Sequence, residues 1–238
     1  MSLDWAGAWQ ALIHHPLFGI GITLAAYQLS LAAYERTRWG FLQPVLVSML
    51  LVILVLLACN IDFPEYRASV QTLTVLLGPT TVALAVPLFL NLRRIRQLFW
   101  PILVTLLVGG VAATGLGVLL AWLFGGEHLM LMSLLPKSVT SPIAMLVADQ
   151  IGGIAALAAV FVMITGVLGA ICGPAVLRLC GVRHPAAQGM ALGITAHAVG
   201  TSRALQEGEE CGAFAALGMS LMGVASAVLL PLLMALIV

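Results

Sequence analysis

An all-α, polytopic bundle of transmembrane helices, with interrupted or re-entrant segments and candidate inverted repeats, is the fold class this sequence predicts. Three observations predict it. Hydrophobic residues make up 62% of the 238 and charged residues 8%, where a soluble domain carries roughly 45–50% and about 25%. With a mean hydropathy of +1.13, too few polar side chains remain to cover a water-facing exterior, so lipid must be the outer solvent. The apolar runs leave room for roughly seven or eight crossings of about 20 residues each. Finally, the rare polar groups gather in two segments where the helical pattern breaks. No polar linker is long enough to separate one domain from another, so residues 1–238 are expected to form a single membrane domain, with 1–15 an interfacial N-terminal segment and 16–238 the helix bundle.

The elements follow in order. Trp5, Trp9, Leu12 and Ile13 recur at helical spacing, as in a short helix lying at headgroup depth. The acidic, aromatic start MSLDWAGAWQ lacks the basic n-region of a secretory signal. A first span is expected from Pro16 to Ala33, ended by the string Tyr34–Arg38, and a second from Leu42 to Cys59. Asn60 and Asp62 then read as solvated caps. A third span is expected from Thr72 to Leu92, interrupted at Gly78-Pro79, because Pro79 removes a helical hydrogen bond and clashes with the preceding turn. A fourth runs from Pro101 to Phe124, with glycines at 109, 110, 115 and 117 that let helices approach closely.

Two apolar arms, His128–Leu135 and Ile143–Ile151, then flank PKSVTSP. Each arm rises only about 12–14 Å, too little to cross a core of about 30 Å, so the segment is a broken crossing or a re-entrant hairpin. The arginines favour the hairpin. With Arg93, Arg94 and Arg96 on the cytoplasmic side, a hairpin returns Arg178 and Arg183 to that side after the span Ile154–Leu177, as the positive-inside bias prefers. A second polar-rich segment, GMALGITAHAVGTSRAL (Gly189–Leu205), precedes Glu207, Glu209 and Glu210 and a last span, Gly212–Val238. LLGPTTVALAVP (Leu76–Pro87) is weakly similar to LLPKSVTSPIAM (Leu134–Met145). Paired interrupted helices in two halves of a chain point to a transporter's binding site, and the match adds Thr80 and Thr81 to the candidate solute-binding residues.

The candidate solute-binding residues are few. Lys137 either snorkels to the interface or is a fixed cation for an anionic solute, supported by Ser138, Thr140 and Ser141. The coincidence of hydroxyls with a helix break favours the second, since a cation at mid-bilayer costs roughly 2.5–3.5 kcal/mol. His197 and Thr201 lie one helical turn apart in a slim stretch. His197 reads equally as a buried imidazole bonded to a carbonyl or as a group that contacts solute or carries a proton. Arg203 reads first as a helix-end residue near Glu207 and second as part of the site. Cys59, Cys172, Cys180 and Cys211 are scattered without metal-ligand spacing, so no metal or cofactor is expected. A net charge of +1 without a Lys/Arg cluster gives no nucleic-acid footprint. Lys137-Ser138 are adjacent rather than face to face, and no HExxH or GxSxG motif is present, so no enzyme is expected.

GPTTVALAVPL, LLPKSVTSPIAM and GMALGITAHAVGTSRAL, in that order and spacing, resemble the LrgB/CidB family of membrane proteins over nearly the whole chain from about Leu42. The resemblance implies a bacterial inner-membrane protein and two competing functions. One is an antiholin-like or holin-like modulator of murein hydrolases and autolysis. The other is transport of small monocarboxylates, of the kind represented by pyruvate in bacterial relatives and glycolate and glycerate in plastid relatives. It also implies a separate small LrgA-like membrane partner, with homo-oligomers a further candidate assembly. Cys211 and Met222 depart from the family pattern, standing where acidic and amide residues are common. Broken helices carrying Lys, His and hydroxyls favour transport, because a pore-forming reading gives them no task.

Overall fold

The computed structural model describes residues 5–37, 39, 42–76, 79, 82, 83 and 85–237, which contain helices and no strand. Four helices are long and apolar enough to cross a bilayer: Leu17–Thr37, Phe99–Leu123, Ala155–Leu179 and Glu209–Leu236. A fifth is added if Pro44–Cys59 and Phe63–Ser69, bent by 118°, are one span. The chain is an integral membrane protein, and its described residues hold fewer helices of spanning length than the roughly seven or eight its apolar content allows. The reason is that two long apolar stretches are spent on hairpins that enter the core and return.

The chain divides into two compact units, Met1–Ala83 and Leu84–Val238. In the first, α1 (Trp5–Ile13) leads into α2 (Pro16–Thr37), which packs on α3 (Pro44–Cys59). Gln43 caps α3 by accepting from Leu46 N at 2.8 Å, and Pro44 follows, where a missing N–H costs nothing. Asn60, in the left-handed region at φ 54°, closes that helix, matching its reading as a cap. The chain then bends back: α4 (Phe63–Ser69) lies on α2, with Thr23 and Tyr66 hydroxyls 2.9 Å apart. A Cβ on Gly19 would fall 1.8 Å from Ser69 Oγ, so only glycine permits that approach. α5 (Gln71–Val75) is short.

The expected single span Thr72–Leu92 is not one helix. Its described parts are α5, Pro79, 82–83, α6 (Ala85–Leu90) and the start of α7 (Leu92–Gln97). Pro79, expected to interrupt the span, has its immediate neighbours outside the described residues, and Pro87 sits inside α6. Leu77, Gly78, Thr80, Thr81 and Leu84 lie outside the described residues, and with them five of the twelve positions of the repeat match with Leu134–Met145.

The second unit carries the two hairpins. α8 (Phe99–Leu123) crosses from the Arg93–Arg96 end, with a π-helical turn at Thr105–Gly109, and ends at Gly125, whose φ of 79° suits glycine. α9 (His128–Leu134) turns back beside it. After the PKSVT loop, α10 (Ser141–Gln150) returns, so that Val147 and Ile151 pack with Leu131 and Met132 of α9. Both ends of this first hairpin are therefore on the Gly125 side, the geometry that a re-entrant segment calls for. α11 (Ala155–Leu179) then crosses back, and Arg94 Nη2 donates to His184 Nε2 at 3.1 Å, placing the start of the next helix on the arginine-rich face.

α12 (Pro185–Glu207) is a second hairpin rather than a straight helix. His197 has φ 42° and ψ −131° inside it. A Cβ on Gly200 would lie 2.4 Å from Leu192 O, eight residues earlier, which only a sharp fold-back allows. The first arm (185–196) runs parallel to α13 (Glu209–Ile237), because Gly189 faces Cys211 O and Gly193 faces Ala215 O. The second arm (198–207) returns to the arginine-rich face, where Arg94 Nε meets Glu210 Oε1 at 2.9 Å.

Candidate functional site

The two hairpins enter from opposite faces and reach similar depths. Lys137 Nζ donates to Ala113 O at 2.6 Å, ten residues before the end of α8, about 15 Å in at 1.5 Å per residue. Thr201 Oγ1 lies 3.8 Å from Met219 Sδ, ten residues into α13, again about 15 Å from the opposite face. Half of a core of about 30 Å is the same 15 Å. The tips share one hydrophobic cluster, in which Val139 of the first hairpin packs with Ile194 of the second and Val162 of α11.

The first tip owes its shape to two prolines. Pro136 and Pro142 bar helix continuity, and α10 restarts at Ser141 behind an extended Thr140 that makes no side-chain capping bond. The N-terminus of this ten-residue helix thus brings orphan N–H groups and a positive dipole end to mid-depth. Ser138 is 1% exposed, while Thr140 and Ser141 are half-buried. The ammonium of Lys137 touches Ser138 Oγ at 3.3 Å as well as Ala113 O. It reaches that carbonyl because α8 has no side chain in the way: a Cβ on Gly117 would lie 2.4 Å from Lys137 Cε. Lys137 therefore does not snorkel to the interface. It is held in the core by a backbone carbonyl, which offsets part of the roughly 2.5–3.5 kcal/mol insertion cost.

The second tip is His197, 3% exposed. Its Nε2–H donates to Val162 O at 2.9 Å, which fixes the tautomer and leaves Nδ1 as the bare acceptor of a neutral ring. Nδ1 is buried with no hydrogen-bond partner. An unsatisfied buried acceptor costs about 1–3 kcal/mol, and a positive φ on a non-glycine residue costs about as much again. The two unfavourable features fall on one residue at mid-depth, His197, and are the reason it stays a candidate site residue. Room for the ring comes from Gly166, whose Cβ would meet His197 Cε1 at 2.6 Å. Thr201 Oγ1 donates to His197 O at 2.8 Å and so takes up a carbonyl released by the break.

Arg203 sits away from the tip on the second arm, hydrogen-bonded to Gln206 at 3.2 Å and ion-paired with Glu207. Thr80 and Thr81 lie outside the described residues. Sequence reasoning missed Ala113, Gly117, Val162 and Gly166, which hold the two key side chains. Nothing in the sequence names a backbone carbonyl as a partner, though the glycines of α8 were a partial signal. No group of three or more His, Cys, Asp and Glu that could hold a metal occurs among the described residues. Over 99–126, 128–148, 155–177, 185–206 and 212–238 the sequence has no carboxylate, so the mid-depth field is set by Lys137 and the helix N-termini and favours an anion. A cavity of about 260 Å³ opens beside His184, walled by Ile102, Met190 and Phe214, and another of about 250 Å³ runs along α8 and α13. Neither is lined by Lys137 or His197.

Comparison with known proteins places this arrangement in a family. No solved structure matches the chain. The uncharacterized protein YxaC of Bacillus subtilis (strain 168) is 38% identical over 203 residues, covering 85% of this chain and 88% of that protein. Proteins named antiholin-like protein LrgB, from Bacillus mycoides (strain KBAB4) and Bacillus cereus (strain B4264), are each 31% identical over 220 residues, covering 92% of this chain and 96% of theirs. The model of the LrgB-like family matches residues 23–236, and the chain belongs to that family.

Proposed function

We propose that this chain carries a small monocarboxylate across a bacterial inner membrane, with a small LrgA-like membrane protein as a separate partner. The observation that carries this reading is the pair of opposed re-entrant hairpins whose tips reach mid-depth, one with a fixed ammonium and hydroxyls, the other with a buried histidine. Irregular backbone at that depth is tolerated only where it is buried in protein or lines a watery cavity. In the proposed bound state the carboxylate takes N–H groups at the start of α10, the Thr140 and Ser141 hydroxyls, and the ammonium of Lys137. Charge-assisted bonds of this kind contribute about 1.5–3 kcal/mol each. Each tip belongs to a hairpin rooted in a different face, so displacing one hairpin at a time would expose the solute alternately to the two sides.

A second reading, an antiholin-like modulator of murein hydrolases, is favoured by the names of the Bacillus relatives. It assigns no role to Lys137 or His197. Uptake of labelled pyruvate, glycolate and lactate into proteoliposomes, with and without a proton gradient, separates the readings. Transport of one of these above protein-free vesicles supports the first. No uptake of any of them, from protein shown to be folded, leaves the antiholin-like reading in possession.

A further inference from the structure

The bare Nδ1 of His197 is the polar atom for which the carboxylate site has no use. We infer that His197 Nδ1 is a proton-binding position of the carrier, so that one proton moves with each carboxylate. This rests on the transport reading and deepens it. The geometry is specific about which nitrogen. Nε2–H is committed to Val162 O at 2.9 Å, and Gly166 lies directly behind that side of the ring. The remaining lone pair is buried and unpartnered.

The neighbourhood has no other group fit for the task. α11 over 155–177 and α13 over 212–237 carry no Asp, Glu, Lys, Arg or His. Cys172 and Cys211 are their thiols, the first exposed and the second buried near the arginine-rich end, two residues into α13. On the second arm of α12, Arg203 and Glu207 are paired with each other. The opposite hairpin contributes Lys137, whose ammonium is occupied by Ala113 O and Ser138 Oγ. Thr201 gives its proton to His197 O.

The step balances simply. When the site opens to one face, a hydronium ion from that side gives its proton to the Nδ1 lone pair, forming one N–H bond and leaving water. The resulting imidazolium and the carboxylate make a neutral pair. After the site opens to the other face, the Nδ1–H bond breaks to water and the carboxylate leaves. Nothing is oxidised or reduced, and net charge moved per cycle is zero. The imidazole suits such a role because its ordinary pKa lies near neutrality. The fixed Nε2–H bond also means that protonation adds a donor without disturbing the hinge.

The test uses the full-length protein in proteoliposomes of weak internal buffering, with pyruvate as probe and a trapped pH dye as readout. Wild-type protein should import about one proton per pyruvate, accumulate pyruvate when the outside is made acidic, and show no response to an imposed voltage. His197→Gln can still offer an N–H to Val162 O but has no proton-binding lone pair. It should lose the pyruvate-linked proton signal and lower gradient-driven accumulation at least tenfold. His197→Asn, which tolerates positive φ, serves as a second variant, and thermal melting establishes that each is folded. Pyruvate uptake by the wild type without proton movement overturns the inference and leaves the transport reading standing. So does a folded His197→Gln or His197→Asn that still moves one proton per pyruvate. Absence of pyruvate, glycolate and lactate uptake by folded wild type removes both.

Discussion

Gly117→Ala places a single methyl against the shaft of Lys137. The new Cβ would start 2.4 Å from Lys137 Cε and 3.1 Å from Nζ, where carbon atoms settle at roughly 3.5–4.0 Å. The lysine end must retreat by about 1 Å, which stretches the 2.6 Å bond to Ala113 O beyond useful range. Losing a bond to a charged group costs about 1.5–3 kcal/mol, while replacing a helical glycine by alanine returns about 0.5–1 kcal/mol. The net expectation is a destabilisation of about 0.5–2.5 kcal/mol, read as a fall in melting temperature at about 2–4 °C per kcal/mol. Carboxylate affinity should fall further, by about tenfold to a hundredfold, because the ammonium no longer sits where the first hairpin presents it. Purified protein is titrated with pyruvate and melted in parallel. Gly115→Ala is the control: its Cβ meets nothing within 4 Å, so it should leave affinity unchanged and raise stability slightly. If Gly117→Ala matches Gly115→Ala in both measurements, the assignment of Lys137 to a fixed seat on α8 is wrong.

Other outcomes follow from the same geometry. Lys137→Gln should weaken carboxylate binding about tenfold to a hundredfold in a folded protein, and Lys137→Arg should not restore it, since the wider guanidinium does not fit the slot at Gly117; full affinity in either variant returns Lys137 to a packing role. Single cysteines at positions 93 and 183, in a background without Cys59, Cys172, Cys180 and Cys211, should be labelled by an impermeant reagent from the same side, and labelling from opposite sides would refute the first hairpin. Gly193→Val should fail to accumulate in the membrane or melt well below wild type, because even its Cβ would lie 2.1 Å from Ala215 O; normal melting would refute the close parallel packing of the second hairpin on α13.

Much of the architecture was legible because lipid allows so few solutions. The sequence pattern places the spans of α8, α11 and α13 within a few residues of their ends. The first hairpin was legible from Pro136 and Pro142, whose effect on backbone is local and nearly independent of context. The second was harder, since the break falls at His197, a residue that does not itself interrupt helices. Gly200, three residues on, is where the returning arm touches Leu192 O, and a tertiary contact of that kind has no local signature. Lys137 and His197 could be picked out as rare polar groups in apolar surroundings. Their partners, Ala113 O and Val162 O, could not, because every residue offers a carbonyl. Arg203 was legible in its bland form: Glu207, one turn later, claims it.

The seam between the first arm of α12 and α13 has a further consequence. At Gly189 and Gly193 the two helices meet backbone to backbone, against Cys211 O and Ala215 O, with no layer of side chains to act as a bearing. Helices separated by interdigitating side chains can slide by small rotamer adjustments, whereas these two cannot shift without collision. They must travel as one rigid strut. Under the proposed transport cycle, a joint that lets His197 change sides would then lie at the strut's margins, at Gly208, whose φ of 149° and ψ of 163° only glycine adopts readily, or in the turn at His197 itself.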